Sequence, residues 1–269
     1  MFRLSDRDAF AFDHIAPTSD RGRTLVCFNA LSGDRGMWLS TIGDALQAKG
    51  HGILAWNYRG QPETEFSFNA TSDSMIVDDA MALLEQENPV RPIHVGLSIG
   101  GLFAIRAHER AGAGRADAIV LLNTLRRSGP RLDWINRAVV RMAETGGLDL
   151  MRDLYSPLLM NEGWQGDNAA NFLAPKTYEP LPANDGTLLL LKAGVGTGWN
   201  VNYEALDVPV LSITGLQDRV FRDPGDVDAL SARIPNLTRV DLPGAGHMIP
   251  VEQPKELADA LLAFAEKLG

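Results

Sequence analysis

Residues 96–100 read Gly-Leu-Ser-Ile-Gly, with an apolar strand-like run before them at 92–97 and a helix-like run after them at 101–110. A serine on the sharp turn between a strand and a helix is a nucleophile elbow. Such a turn leaves little room for side chains two positions to either side, and Gly96 and Gly100 remove them. Ser98 is then predicted to hold its hydroxyl clear of the main chain. The first turn of the following helix offers N–H groups and a favourable dipole to a developing negative charge.

The rest of the chain supports that strand-to-helix context. Strand-like runs at 24–28, 52–56, 93–97, 118–122, 208–214 and 238–242 alternate with helical patterns at 37–49, 72–87, 99–110, 227–234 and 254–268. This alternation predicts an α/β fold, a mostly parallel sheet with helices on both faces. Residues 9–15 are placed as an antiparallel edge strand. Between about 125 and 203 the alternation stops. Amphipathic helical pieces at 134–144, 148–159 and 187–193 are punctuated there by glycine, proline and asparagine, and no strand is evident. The expected organisation is a core of 1–124 and 204–269 interrupted by a helical cap over 125–203. Trp134, Met142, Leu154, Leu158, Met160, Trp164 and Phe172 would either roof a pocket or pack the insert onto the core.

Charge and composition narrow the partners. A net charge of -9 without a basic cluster weighs against nucleic acid. The single cysteine, Cys27, lies in an apolar run, cannot form an internal disulfide and reads as a small core residue. Residues 1–13 mix charged and apolar side chains without a signal-peptide apolar region, and no stretch approaches a membrane span. These features predict a soluble, cytoplasmic chain whose partner is a small-molecule substrate, with no nucleic acid and no membrane; they leave the oligomeric state open. The sequons Asn69-Ala70-Thr71 and Asn236-Leu237-Thr238 would then go unused.

A serine hydroxyl needs a base, the base needs an orienting carboxylate, and a tetrahedral oxyanion needs donors. Of the five histidines, His14 precedes the sheet, His51 stands at the wrong end of a strand, His94 lies within one, and His108 is well inside a helix. His247, in Gly244-Ala245-Gly246-His247-Met248-Ile249-Pro250, follows the last strand at the carboxyl edge, where open α/β sheets place their sites. It is the candidate base. Asp218, after the strand ending Thr214-Gly215-Leu216-Gln217, is the candidate carboxylate, while Asp223 and Asp226 read as helix-capping and first-turn residues.

In chain order, Gly96-Leu97-Ser98-Ile99-Gly100, Gly215-Leu216-Gln217-Asp218 and Gly246-His247 resemble the catalytic motifs of the α/β-hydrolase superfamily, and the helical insert resembles its cap. The resemblance runs from about Arg23 to the carboxyl terminus. It implies the α/β-hydrolase fold and a Ser98-His247-Asp218 triad with backbone oxyanion donors at Ile99 and Leu31. The family's usual His-Gly before the second donor is replaced here by Asn29-Ala30, with Trp38 in its matching place. Asn29 would have to brace that loop or would reach the substrate. Asn57-Tyr58-Arg59-Gly60 resembles a structural turn of the family, with Asn in place of its acid.

The implied reaction is acyl transfer through Ser98 on a small carboxylic ester or lactone. Carbon–carbon bond hydrolysis of a diketone-like acid and thioester hydrolysis are the alternatives within the fold, and a non-hydrolytic binding module is the alternative outside enzymes. Arg126 and Arg127 follow the strand at 118–122 and are candidates for a substrate carboxylate or for bracing the lid. Trp134 and Trp164 are candidates for substrate contact. No Cys/His spacing suits a metal and no nucleotide fingerprint is present, so no cofactor is expected.

Overall fold

Five-residue apolar runs, too short for helices and bounded by turns, become strands buried along their whole length. The computed structural model describes residues 1–67, 71–110, 115–175 and 177–269, so Asn69 and Ala70 of the first sequon lie outside the described residues. Its strands are β1 (Phe2–Arg3), β2 (Ala9–Phe10), β3 (Phe12–Ile15), β4 (Thr24–Phe28), β5 (Gly52–Trp56), β6 (Thr64–Glu65), β7 (Ile93–Leu97), β8 (Ala118–Leu122), β9 (Val210–Gly215) and β10 (Leu237–Leu242). The main sheet has seven strands in the order β10-β9-β8-β7-β4-β5-β3. Every pairing in it is parallel except that of the edge strand β3 with β5. The edge strand expected over 9–15 is divided. β2 pairs with β1 and β6 in a small three-stranded sheet, and only β3 joins the main one.

The helices are α1 (Arg35–Trp38), α2 (Asp44–Gln47), α3 (Asp73–Glu87), α4 (Ile99–Glu109), α5 (Pro130–Leu159), α6 (Glu162–Asp167), α7 (Gly186–Gly196), α8 (Pro224–Ser231), α9 (Ile249–Glu252) and α10 (Pro254–Lys267). The pleat sends Leu25 and Cys27 of β4 to one face and Val26 and Phe28 to the other. On the first face Trp38, Leu46, Leu261 and Phe264 pack against the sheet. On the second, α3 and α4 do so through Ile76, Leu83, Leu102 and Phe103. Cys27 is fully buried, and burial pushes its thiol well above the ordinary cysteine range, so it acts as an inert packing group.

The helix expected over 37–49 is not continuous. A π-helical turn, Leu39–Gly43, separates α1 from α2. There the hydroxyls of Ser40 and Thr41 both donate to the Met37 carbonyl. Hydroxyls that bond back onto the preceding turn compete with the helix ladder.

Register brings the strand ends level. Phe28 pairs with Gly96, Leu97 with Leu122, Leu122 with Ile213, and Gly215 with Leu242. The loops leaving β4, β7, β8, β9 and β10 therefore start from one rim. Between β8 and β9 the described residues form α5, α6, α7 and two short 3-10 turns, and no strand. Helix α5 is broken at Gly146-Gly147, where Gly147 has φ 67° and ψ -162°. A Cβ on Gly147 would fall 2.3 Å from the Glu179 carbonyl oxygen, so glycine serves both the turn and the close approach. Among the described residues no helix is long and apolar enough to cross a membrane.

The elbow depends on equally close contact. A Cβ on Gly100 would sit 2.3 Å from the Phe28 carbonyl oxygen and 2.6 Å from that of Asn29. Both are main-chain atoms at the carboxyl end of β4 and cannot swing aside. Gly100→Ala is expected to cost about 1–3 kcal/mol of stability, as overpacking typically does. A lower urea midpoint at unchanged m-value would register the loss, and an unmoved midpoint would contradict the contact.

Candidate active site

Ser98 joins β7 to α4 with φ 58° and ψ -119°. A side-chain-bearing residue holds such angles only when its surroundings impose them. Here Ser98 N donates to the Leu122 carbonyl at 2.7 Å. A Cβ on Gly96 would lie 2.3 Å from Gly101 Cα, so strand and helix approach more closely than any larger residue permits. The hydroxyl is thereby placed on the wall of a cavity of about 400 Å³.

Asp218 is carried out of β9 by a short loop and is almost fully buried. Its Oδ1 accepts from the Val220 and Phe221 amides at 3.0 and 2.9 Å, and its Oδ2 lies 2.6 Å from His247 Nδ1. Burial alone would raise this carboxyl. The charge and hydrogen bond of His247 and the Phe221 and Val220 amides outweigh burial and hold it below the ordinary aspartate value. With Nδ1 engaged, Nε2 is the ring nitrogen free to act in the cavity that His247 lines.

The His247 loop is held in place by main-chain bonds. His247 N donates to the Leu159 carbonyl at 2.6 Å and Arg219 N to that of Leu158 at 2.9 Å, so the end of α5 is stitched to both loops. Glu252 accepts from Gly246 N at 2.8 Å, Met248 N at 2.7 Å and Asn161 N at 2.6 Å. Burial nevertheless leaves the Glu252 carboxyl above its ordinary value. Asn123, at φ 49°, accepts from Gly215 N at 2.8 Å and donates to the Gly246 and His247 carbonyls at 3.0 and 2.8 Å. One amide side chain thus ties the end of β8 to the loops that bear Asp218 and His247.

Ser98 Oγ accepts a hydrogen bond from Arg126 Nη2 at 2.8 Å. It makes none with His247, although both side chains line the same cavity. Leu31 and Ile99 line it too. Ile99 opens α4, so its N–H has no partner within the helix. The Leu31 loop is braced from behind by Gln61, whose Nε2 donates to the Ala30 and Leu31 carbonyls at 2.8 and 3.2 Å. In front of it, a Cβ on Gly194 of α7 would fall 2.6 Å from Leu31 Cδ1.

The structure brings Arg126 and Trp164 to the cavity, and it does not bring Asn29, Arg127 or Trp134 there. Asn29 is turned inward and fully buried. It donates to the Trp56 carbonyl and to Gln61 at 2.8 Å and accepts from Trp38 Nε1 at 2.7 Å, so it braces the loop and cannot reach a substrate. Arg127 is half-exposed and lies 3.4 Å from Asp226, beside the helix that Asp223 caps. Trp134 is 77% exposed on the outer side of α5. Of the other apolar side chains expected to roof the pocket, Met160 lines it, Met142 is buried, and Leu154, Leu158 and Phe172 face outward. The Asn57-Tyr58-Arg59-Gly60 turn is structural, with Arg59 bound to Asp79 at 2.8 Å.

Sequence reasoning missed Trp199, Phe221, Gln61, Asn123 and Glu252. Phe221 stands three residues past Asp218, and Asn123 directly follows a predicted strand, which are the signals available. Trp199 lies in a stretch with no periodicity. Among the histidines, only His247 lines the cavity; His14 pairs with Glu87 and His108 with Asp207. Among the described residues no group of three or more His, Cys, Asp or Glu is placed to hold a metal ion.

Comparison with known proteins adds the family context. A family profile described as "Alpha/beta hydrolase family" matches residues 25–260. A curated protein named "Putative non-heme bromoperoxidase BpoC", from Mycobacterium tuberculosis, is 27% identical over 225 residues, 82% of this chain and 85% of that one. The enol-lactonase from Burkholderia xenovorans LB400 superposes with a TM-score of 0.81 at 20% identity, covering 99% of this chain and 100% of that one. A thermophilic esterase from Thermogutta terrifontis gives a TM-score of 0.79 at 20% identity, covering 97% and 94%. At such identities the two structures share the fold.

Proposed function

The chain belongs to the alpha/beta hydrolase family, and from that premise we propose that it hydrolyses small carboxylic esters or lactones through an acyl-enzyme on Ser98. The observation that carries this reading is the buried Asp218–His247 pair, 2.6 Å apart, opening on the cavity where the strained elbow holds Ser98. Asp218 fixes the tautomer in which His247 Nε2 is unprotonated. Ser98 turns its hydroxyl from Arg126 to Nε2, a bond of the kind that tightens when substrate is held. His247 takes the proton as Ser98 Oγ attacks the carbonyl carbon, and the Leu31 and Ile99 amides receive the oxyanion. His247 returns the proton to the leaving alkoxide, then activates water to clear the acyl group.

The helices over 125–203 act as the cap in this reading, since α5 and α7 supply much of the cavity wall. The esterase and the enol-lactonase that share the fold support esters and lactones as the substrate class. The test is covalent labelling. A fluorophosphonate is expected to form one adduct per chain, located by peptide mass spectrometry at Ser98, while short-chain nitrophenyl esters turn over. A folded protein that takes no label and cleaves no ester of the panel contradicts the reading.

A further inference from the structure

Arg126 is a buried cation with no anion of its own. It follows β8, is 5% exposed and lines the cavity beside Ser98. Its guanidinium lies over two aromatic rings, 4.6 Å from the Trp199 ring centre and 4.7 Å from that of Phe221. Nη2 donates to Ser98 Oγ and to the Asn123 carbonyl, both at 2.8 Å and both neutral acceptors. Nε is buried and has no partner among the described residues. The carboxylate whose charge reaches Arg126 is Asp218, already engaged by His247 and two amides. No Asp or Glu is among the described residues that line the cavity. Arg152, the other arginine there, is paired with Asp149 and Asp153.

A chain of net charge -9 therefore keeps an uncompensated positive charge in a mostly apolar cavity, at its nucleophile. Burial lowers Arg126 to about 10, which still leaves it cationic at neutral pH. The two rings stabilise the cation, while the unpartnered Nε is left to meet a ligand. An apolar wall with one fixed charge selects for an apolar molecule with one opposite charge.

Building on the assignment of Ser98 as nucleophile, we propose that the cavity takes esters or lactones bearing a free carboxylate close to the scissile carbonyl, with Arg126 as the anchor. The spacing follows from the site. A carboxylate oxygen sits about 2.8 Å from a guanidinium nitrogen, and an attacked carbon approaches to about 3 Å from Oγ before the bond forms. Both distances start from atoms only 2.8 Å apart. Acid oxygen and attacked carbon are therefore held within about 9 Å of each other, which favours short half-esters.

The test compares monoethyl succinate with its neutral isostere ethyl 4-methylpentanoate, and with monoethyl adipate, whose acid is two carbons farther away. The expected kcat/KM for the succinate is roughly tenfold or more above the neutral isostere, and that for the adipate also exceeds the isostere. Arg126→Met erases this preference, lowering the succinate roughly tenfold more than the neutral ester. Arg126→Lys, which keeps the charge, restores part of it. Equal losses on acid and neutral esters would place Arg126 in service of Ser98 alone and overturn the proposal, as would a wild type without preference. If the Met variant does not fold, the wild-type ratios and the Lys variant decide. Calorimetric binding of monoethyl succinate to Ser98→Ala, with and without Arg126→Met, separates the two assignments. Arg126-dependent binding with no turnover of any ester by the unmodified protein would break the hydrolase reading and leave the anion site standing. Turnover of neutral esters without the preference would break the anion site alone.

Discussion

Ser98→Ala is expected to lower kcat/KM for any accepted ester by roughly 10⁴- to 10⁶-fold, about 5–8 kcal/mol of transition-state stabilisation. The protein should remain folded. The strained backbone of residue 98 is set by the hydrogen bond its N–H donates to the Leu122 carbonyl and by the tight packing of Gly96 and Gly101, and none of these involves the hydroxyl. Loss of Oγ removes the atom proposed to carry the acyl group, and it also frees Arg126 Nη2 from one of its two acceptors. In the proposed mechanism, what survives is rate from positioning and from the Leu31 and Ile99 amides, which would stabilise the oxyanion formed when water attacks the carbonyl directly. The measurement is a progress curve on a nitrophenyl ester together with a far-ultraviolet spectrum matching the wild type. Turnover within about tenfold of wild type would remove Ser98 from the chemistry.

Asp218→Asn should cost about 10⁴-fold in kcat with little change in fold. The argument is one of donor and acceptor faces. Oδ1 accepts from two main-chain amides, which would hold the asparagine carbonyl in the same place. The new NH₂ group would then face His247 Nδ1, a nitrogen that must be unprotonated to accept it. The proton is forced onto Nε2, which can no longer take one from Ser98. The same substitution has a signature in stability. The Asp218 carboxyl is held below its ordinary value of 3.8, so its stabilising contribution is present above that value and is lost as pH falls through the lower folded one. The gap between wild-type and Asp218→Asn urea midpoints should therefore narrow as pH drops below about 4. A constant gap would show that the carboxylate charge is not what the loop depends on.

Much of the architecture was legible because it follows from short-range periodicity. The runs at 24–28, 52–56, 93–97 and 118–122 coincide with strands because an apolar stretch of that length bounded by turns has few other ways to bury both faces. That Ser98 and His247 share one cavity, with Asp218 bonded to His247 behind it, agrees with the expectation from the loops that leave β7, β9 and β10 at the carboxyl edge. What a side chain does after its strand ends was not readable. Asn29 and Arg126 both leave strands at that rim, yet Asn29 turns inward to Trp38 and Gln61 while Arg126 enters the cavity. Their directions depend on partners, Gln61 for one and Trp199 and Phe221 for the other, that are remote in sequence or carry no periodic signal. Trp134 and Trp164 illustrate the same limit within the insert. Both are tryptophans on helices there, and one faces solvent while the other faces the cavity.

The stitching at the end of α5 sets a rule for anyone grafting a new roof onto this scaffold. Leu158 and Leu159 give their carbonyls to the loops of Asp218 and His247, and Asn161 is bound by Glu252. A chimera spliced within 130–157 would exchange much of the cavity ceiling while leaving that seam closed. A splice beyond residue 158 would unpick the amide acceptors of both loops and impair catalysis whatever the transplanted segment recognises.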